Sequence, residues 1–93
     1  MKKLSEAEIQ DELQSLPGWE YADNALHTGF EFENFKEAFT IMTRIAFEAE
    51  KLDHHPDWSN VYNQLHISLY THTEDGVTEK DIALAKIIND LVS

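Results

Sequence analysis

The stretch "PDWSNVYNQLHISLYTH", residues 56–72, constrains this chain more than any other feature. It alternates like a strand, yet it exceeds the usual strand length of ~5–6 residues, so the chain has to turn back inside it. Asn63-Gln64 is the best internal turn, because asparagine tolerates positive φ. The return strand then sets Leu65, Ile67 and Leu69 on one face, the period-2 pattern of a sheet with one buried side. A sheet of that kind needs an apolar layer packed over it.

The flanking sequence supplies both more sheet and the covering layer. "WEYA" and "ALHTGFEF" predict a hairpin around Asp23-Asn24, with Leu26, Thr28, Phe30 and Phe32 alternating on one side. Three helices are predicted. The first opens at "LSEAE", where Ser5 and Glu8 form a capping box, Leu4 and Ile9 hold the staple positions, and Leu13 and Leu16 continue the face to Pro17-Gly18. The second starts at an Asn34 cap with Glu37 and runs to about Leu52. Its core stripe is Phe35, Ala38, Phe39, Met42, Ile45, Ala46 and Ala49. Phe47 falls near the opposite side, beside Ile41 and Arg44. Single surface apolars are common, and a subunit contact is the other reading of it. The third follows Gly76, with Thr78 as cap, Asp81 at the third helical position, and Ile82, Ala85, Ile88 and Val92 along one side. The order is α-β-β-α-β-β-α. It predicts an α+β two-layer sandwich, a four-stranded antiparallel sheet with three helices on one face, as a single domain over residues 1–93.

The chain has 18 acidic and 7 basic residues, a net charge of −11, which disfavours nucleic acid and anionic membrane as partners. It has no cysteine, so disulfides, thiol catalysis and cysteine-ligated zinc are excluded. "MKKLSEAEIQDEL" lacks the apolar core of a signal peptide, and no apolar stretch approaches the ~20 residues of a membrane span. A cytoplasmic location is the expectation.

Candidate chemistry lies in the histidines. With a loop at Asn63-Gln64, Tyr62 pairs with Leu65, and extending that register puts His55 opposite His72, with His54 one residue away. Pro56 cannot donate to the ladder, so the pairing splays there and opens a cleft. Three of the five histidines therefore gather beside the end of the second helix. His66 stands ~20 Å further along the strand and, with His27, is read as a surface residue. Three readings compete. "HHP" as a solvated loop is the bland one. A metal site is disfavoured, because adjacent histidines project apart and no HxH or HxxxH spacing exists. Acid–base chemistry suits imidazoles facing one pocket, because histidine titrates near neutrality. No Ser-His-Asp arrangement or Gly-rich phosphate loop offers another mechanism.

"AEKLDHHPDW", "NVYNQLHISLYTH" and "GVTEKDIALA" together closely resemble the pterin-4a-carbinolamine dehydratases, and the first helix with "LPGW" suits the same pattern. The resemblance implies dehydration of 4a-hydroxytetrahydropterin to quinonoid dihydropterin, in the recycling of tetrahydrobiopterin, without a metal or an organic cofactor. It implies an active site of His54, His55 and His72, with Asp53 and the run Tyr70, Thr71, His72, Thr73 contacting the pterin. Glu50, Trp58 and Asp81 are candidate supporting residues, and Glu50 and Asp53 the carboxylates expected to set the histidines apart. Lys80 stands where some relatives carry arginine, so the charge stays while the bidentate fork is lost. The resemblance further implies a homodimer or homotetramer. Animal relatives also bind a homeodomain transcription factor, so a non-catalytic dimerisation module is the alternative function.

Overall fold

The computed structural model describes residues 2–93. Helix α1 (Glu6–Leu13) opens with the reciprocal capping box: Glu8 N–H donates to Ser5 Oγ at 3.1 Å and Ser5 N–H to Glu8 Oε1 at 2.8 Å. The helix stops at Leu13, short of Pro17-Gly18, yet Leu16 in the following turn is fully buried. Gly18 takes φ +87°, a left-handed value that glycine adopts without strain, and its carbonyl accepts the Thr28 hydroxyl at 2.8 Å.

Strands β1 (Glu20–Ala22) and β2 (Ala25–Glu31) meet at Asp23-Asn24, with φ +50° and +66°. Positive φ at both positions is what a tight two-residue hairpin needs, and it explains Asp-Asn there. Helix α2 (Phe35–Leu52) starts where Asn34 Oδ1 accepts the Glu37 N–H at 2.9 Å. Strands β3 (Asp57–Val61) and β4 (Gln64–Leu69) form the second hairpin; a single 3-10 turn, His72–Glu74, leads on to helix α3 (Glu79–Val92).

The sheet order is β1-β2-β4-β3, antiparallel throughout. The central pair β2 and β4 sets Leu26 against Leu69, Thr28 against Ile67 and Phe30 against Leu65 on the helix side. These residues close over Ile9, Leu16, Trp19, Ile45, Val77, Ile82, Leu84, Ala85 and Ile88. Each fully buried Leu or Ile contributes about 1.5–3 kcal/mol. Trp19 donates its indole N–H to Asn89 Oδ1 at 2.9 Å, which ties the β1 approach to the end of α3. The α+β two-layer sandwich in the order α-β-β-α-β-β-α is thus the observed architecture. No helix among the described residues is long and apolar enough to cross a membrane.

Two expectations need correction. The second loop is Tyr62-Asn63, one residue earlier than Asn63-Gln64, because Val61 pairs with Gln64 and Asp57 with Ser68. Tyr62, not an asparagine, takes the left-handed position at φ +51°. The asparagines are used otherwise. Asn60 Nδ2 donates to the carbonyls of Tyr62 and Gln64 at 3.1 and 2.8 Å, and Asn63 Nδ2 to the Phe32 carbonyl at 2.9 Å. The loop is pinned from outside, and the cost of the tyrosine's φ is met by that web.

The α2 stripe is also narrower than predicted. Ala38, Ile45 and Ala49 are buried, while Phe35 and Phe39 are 48% and 55% exposed and Ala46 is exposed. At 100° per residue these three lie on the flank of the buried line, outside the cluster that packs on the core. With Phe47, 68% exposed, they leave an uncovered apolar side on α2.

Candidate active site

The histidine pair owes its place to how α2 ends. Asp53 caps the helix in a left-handed conformation, φ +52°, and the His54 N–H returns to the Ala49 carbonyl at 3.0 Å. That closure turns the chain sharply. Pro56 then delays β3 until Asp57, so His54 and His55 stand between the helix end and the sheet edge.

The third histidine arrives differently from the expected ladder. Strand β4 stops at Leu69, and the backbone of Thr71 pairs with Gly76, enclosing the turn that begins at His72. His72 is therefore not opposite His55 in a strand pair. The turn folds it back, and both line one cleft of about 720 Å³. Asp53, His54, Tyr70, Thr71 and Thr73 line the same cleft. All seven residues inferred to contact the pterin thus share one wall system. A second cleft of about 420 Å³ adjoins it, sharing His55, Asp57, Tyr70 and His72 and adding His27, Asn24 and Asp75.

The three imidazoles have different partners. His54 is 9% exposed, and its Nε2 is hydrogen-bonded to Oδ1 of Asp81, which is completely buried. Asp81 Oδ2 accepts the Thr71 hydroxyl at 2.7 Å and the Thr78 N–H at 2.9 Å. The Thr78 hydroxyl faces Thr71 Oγ1 at 2.9 Å, so it donates there while Thr71 donates to Asp81. Every oxygen of Asp81 acts as an acceptor. His54 Nε2 therefore carries the hydrogen, and Nδ1 has no hydrogen-bonding partner among the described residues. His55 Nε2 pairs with Glu50 Oε2 at the rim, both side chains being exposed. His72 has no hydrogen-bonding partner among the described residues and instead meets the Tyr70 ring edge-to-face, centroids 4.7 Å apart.

The supporting residues separate accordingly. Glu50 holds His55, and Asp81 serves both as helix cap and as anchor of His54. Asp53 lines the cleft but gives its structural service as the left-handed cap, not as a partner to a histidine. Trp58 does not line the cleft: it opposes Ile67 and packs half-buried against the core. Lys80 does line it, at the start of α3. His27, read from the sequence as a surface residue, is half-buried instead. It reaches the second cleft because β2 and β4 pair His27 with Ser68, whose hydroxyl is 2.9 Å from His27 Nδ1. His66 lies on the open face of the sheet, lining a separate cavity with Gly29 and Ser59. Among the described residues no group of three or more His, Asp or Glu side chains is arranged to hold a metal ion.

A helix-covered antiparallel sheet with three differently held imidazoles lining one cleft is an arrangement that suits acid–base chemistry on, or binding of, a small molecule. The comparisons narrow the class. The model of the pterin 4 alpha carbinolamine dehydratase family matches residues 2–91. A protein of Christiangramia forsetii, provisionally named a pterin-4-alpha-carbinolamine dehydratase, is 65% identical over 92 residues, covering 99% of this chain and 95% of that one. A protein of Chelativorans sp. with the same provisional name is 51% identical over 90 residues, covering 95% and 92%. The crystal structure of the transcriptional coactivator/pterin dehydratase from Brucella melitensis superposes with TM-score 0.96 at 42% identity, covering 99% of this chain and 100% of that one. The chain belongs to the pterin 4 alpha carbinolamine dehydratase family.

Proposed function

We propose that this chain dehydrates 4a-hydroxytetrahydropterin to quinonoid dihydropterin, with His54, His55 and His72 as its catalytic residues. The observation that carries the reading is the cleft itself, where three imidazoles stand in three hydrogen-bonding environments. Dehydration needs one group to give a proton and another to take one. An imidazolium protonates the departing hydroxyl as the C4a–O bond breaks. The adjacent ring nitrogen forms the double bond to C4a and loses its proton to a neutral imidazole, so the products are quinonoid dihydropterin and water. Environments that differ between titratable groups suit such a division. His54 is the best-positioned proton carrier, because Asp81 fixes its ring and tautomer while Nδ1 remains free. His55, held at the rim by Glu50, orients the ring, and Asp53 with Tyr70 to Thr73 forms the wall against which the pterin lies. No step calls for a metal or an organic cofactor.

The test is a stopped-flow assay with synthetic 4a-hydroxytetrahydropterin. The reading expects water loss well above the uncatalysed rate, saturable in substrate. A rate equal to that of buffer alone would reject it.

A second role rests on a separate observation. The uncovered side of α2 with Phe35, Phe39 and Phe47, together with the edge strands β1 and β3, suits assembly into a homodimer or homotetramer. The same surface suits a protein partner, a role that the coactivator in the name of the Brucella relative brings to mind.

A further inference from the structure

Carboxylates hold His54 and His55, whereas the His72 imidazole, on an exposed turn, has no hydrogen-bonding partner among the described residues and meets the Tyr70 ring. An imidazole without a hydrogen-bonded partner on such a turn is free to change rotamer unless packing stops it. The packing present is specific. Tyr70 and His72 meet at 87° with centroids 4.7 Å apart, the edge-to-face geometry that aromatic quadrupoles favour. Tyr70 is itself tethered, its phenol donating to Asp75 Oδ1 at 2.6 Å. Asp75 closes the 3-10 turn that begins at His72: it sits at φ +54° and its N–H reaches the His72 carbonyl at 3.2 Å. The ring and the turn that carry His72 are thus joined through one aspartate.

The chain of contacts continues outward. The Asp75 carbonyl accepts the Asn24 amide at 2.7 Å, and Asn24 Oδ1 accepts the Tyr21 phenol at 3.2 Å. Asn24 belongs to the β1–β2 loop, far from His72 in sequence, and its positive φ already explains it as a turn residue. Its amide has this second employment.

We propose that Tyr70 is a positioning residue for His72, tethered by Asp75 and braced by Asn24 of the β1–β2 loop. The inference rests on the dehydratase reading for its kinetic consequences but not for its structural ones. The bond to the Asp75 carboxylate also holds the Tyr70 phenol above its ordinary pKa.

Two readouts test this. The first is the imidazole NMR spectrum of His72 in the free protein; the second is kcat and KM for dehydration. Tyr70→Leu should shift and broaden the His72 ring signals and lower kcat about tenfold or more, as loss of orientation does, while any change in KM reports the separate place of Tyr70 in the pterin wall. Tyr70→Phe keeps the ring and should recover most of that loss. Asn24→Gly keeps the loop backbone, removes the brace, and should perturb His72 in the same direction by less. Unchanged His72 signals in Tyr70→Leu overturn the proposal. So does a kcat loss in Tyr70→Phe equal to that in Tyr70→Leu while the His72 signals keep their wild-type positions, which would make the hydroxyl a direct participant. A rise in KM with kcat and the His72 signals both unchanged also overturns it, since Tyr70 would then serve only as pterin wall. If Tyr70→Leu fails to fold, Tyr70→Phe and Asn24→Gly decide: His72 signals unmoved in both reject the proposal. Should the wild type show no dehydratase activity, the functional reading fails while the spectra still decide the positioning.

Discussion

Asp81→Asn separates the chemistry of the site from its stability. Asp81 is fully buried and accepts from His54 Nε2, the Thr71 hydroxyl and the Thr78 N–H. Asparagine has the same shape. With its oxygen turned to Thr71 and Thr78 it keeps the helix cap and the threonine contact, but its NH₂ then faces His54. Two N–H donors cannot meet, so His54 must move its hydrogen to Nδ1 and accept at Nε2. The nitrogen left toward the cleft changes from acceptor to donor. Hydrogen bonds to a charged acceptor contribute roughly 1.5–3 kcal/mol and neutral ones about 1, partly offset because a buried charge is removed. A net loss of about 1–2 kcal/mol follows, and at ~4–8 °C per kcal/mol in a domain this small Tm should fall by roughly 5–15 °C. Turnover should fall far more, by about 10²–10⁴, the usual share of a general acid or base. Calorimetry and stopped-flow on the same preparation measure both. Asp81→Ala is the contrast: it strands buried donors at about 1–3 kcal/mol each and should barely fold. A folded Asp81→Asn protein with nearly wild-type turnover would refute the role given to the Asp81–His54 pair.

Three further outcomes are expected. Activity should survive EDTA and dialysis; stoichiometric zinc lost together with activity would overturn the free-imidazole mechanism. Light scattering at micromolar concentration should show a dimer or tetramer, and Phe47→Glu should weaken it; a monomeric wild type would contradict that reading of α2. The Ser5 capping bonds hold Glu8 below its ordinary pKa, so its stabilisation is present above the unfolded value of 4.5 and is lost as pH falls through the lower folded value. Glu8→Gln should therefore flatten the acid limb of a Tm–pH curve, and an unchanged limb would count against the capping box.

Local signals in the sequence were faithful where short-range chemistry decides the outcome. Ser5 with Glu8, Asn34 with Glu37 and Thr78 with Asp81 cap their helices as the spacing predicts, and Asp23-Asn24 makes its hairpin. The burial of Leu65, Ile67 and Leu69 follows from alternation alone. What failed depended on distant partners. Tyr62 accepts a left-handed φ because Asn60 and Asn63 are spent on carbonyls around the loop, including that of Phe32 just past the end of β2. Phe35 and Phe39 have core periodicity but stay about half exposed, which no pattern within α2 reveals. His55 and His72 share a cleft through the turn after β4, not through the ladder that predicted it. Asp81 was legible both as a cap and as a candidate supporting residue, but its bond to His54, 27 residues away, was not.

The most direct test of the central claim compares His72→Ala with His66→Ala in one stopped-flow experiment. His72 lines the cleft, whereas His66 lies on the open face of the sheet beside another cavity. His72→Ala should lower dehydration by about 10²–10⁴, less in the raw trace because a carbinolamine also loses water unaided. His66→Ala should match the wild type in kcat and KM with its fold intact. If His66→Ala abolishes activity and His72→Ala does not, both remaining folded, then the cleft described here is not where the reaction occurs.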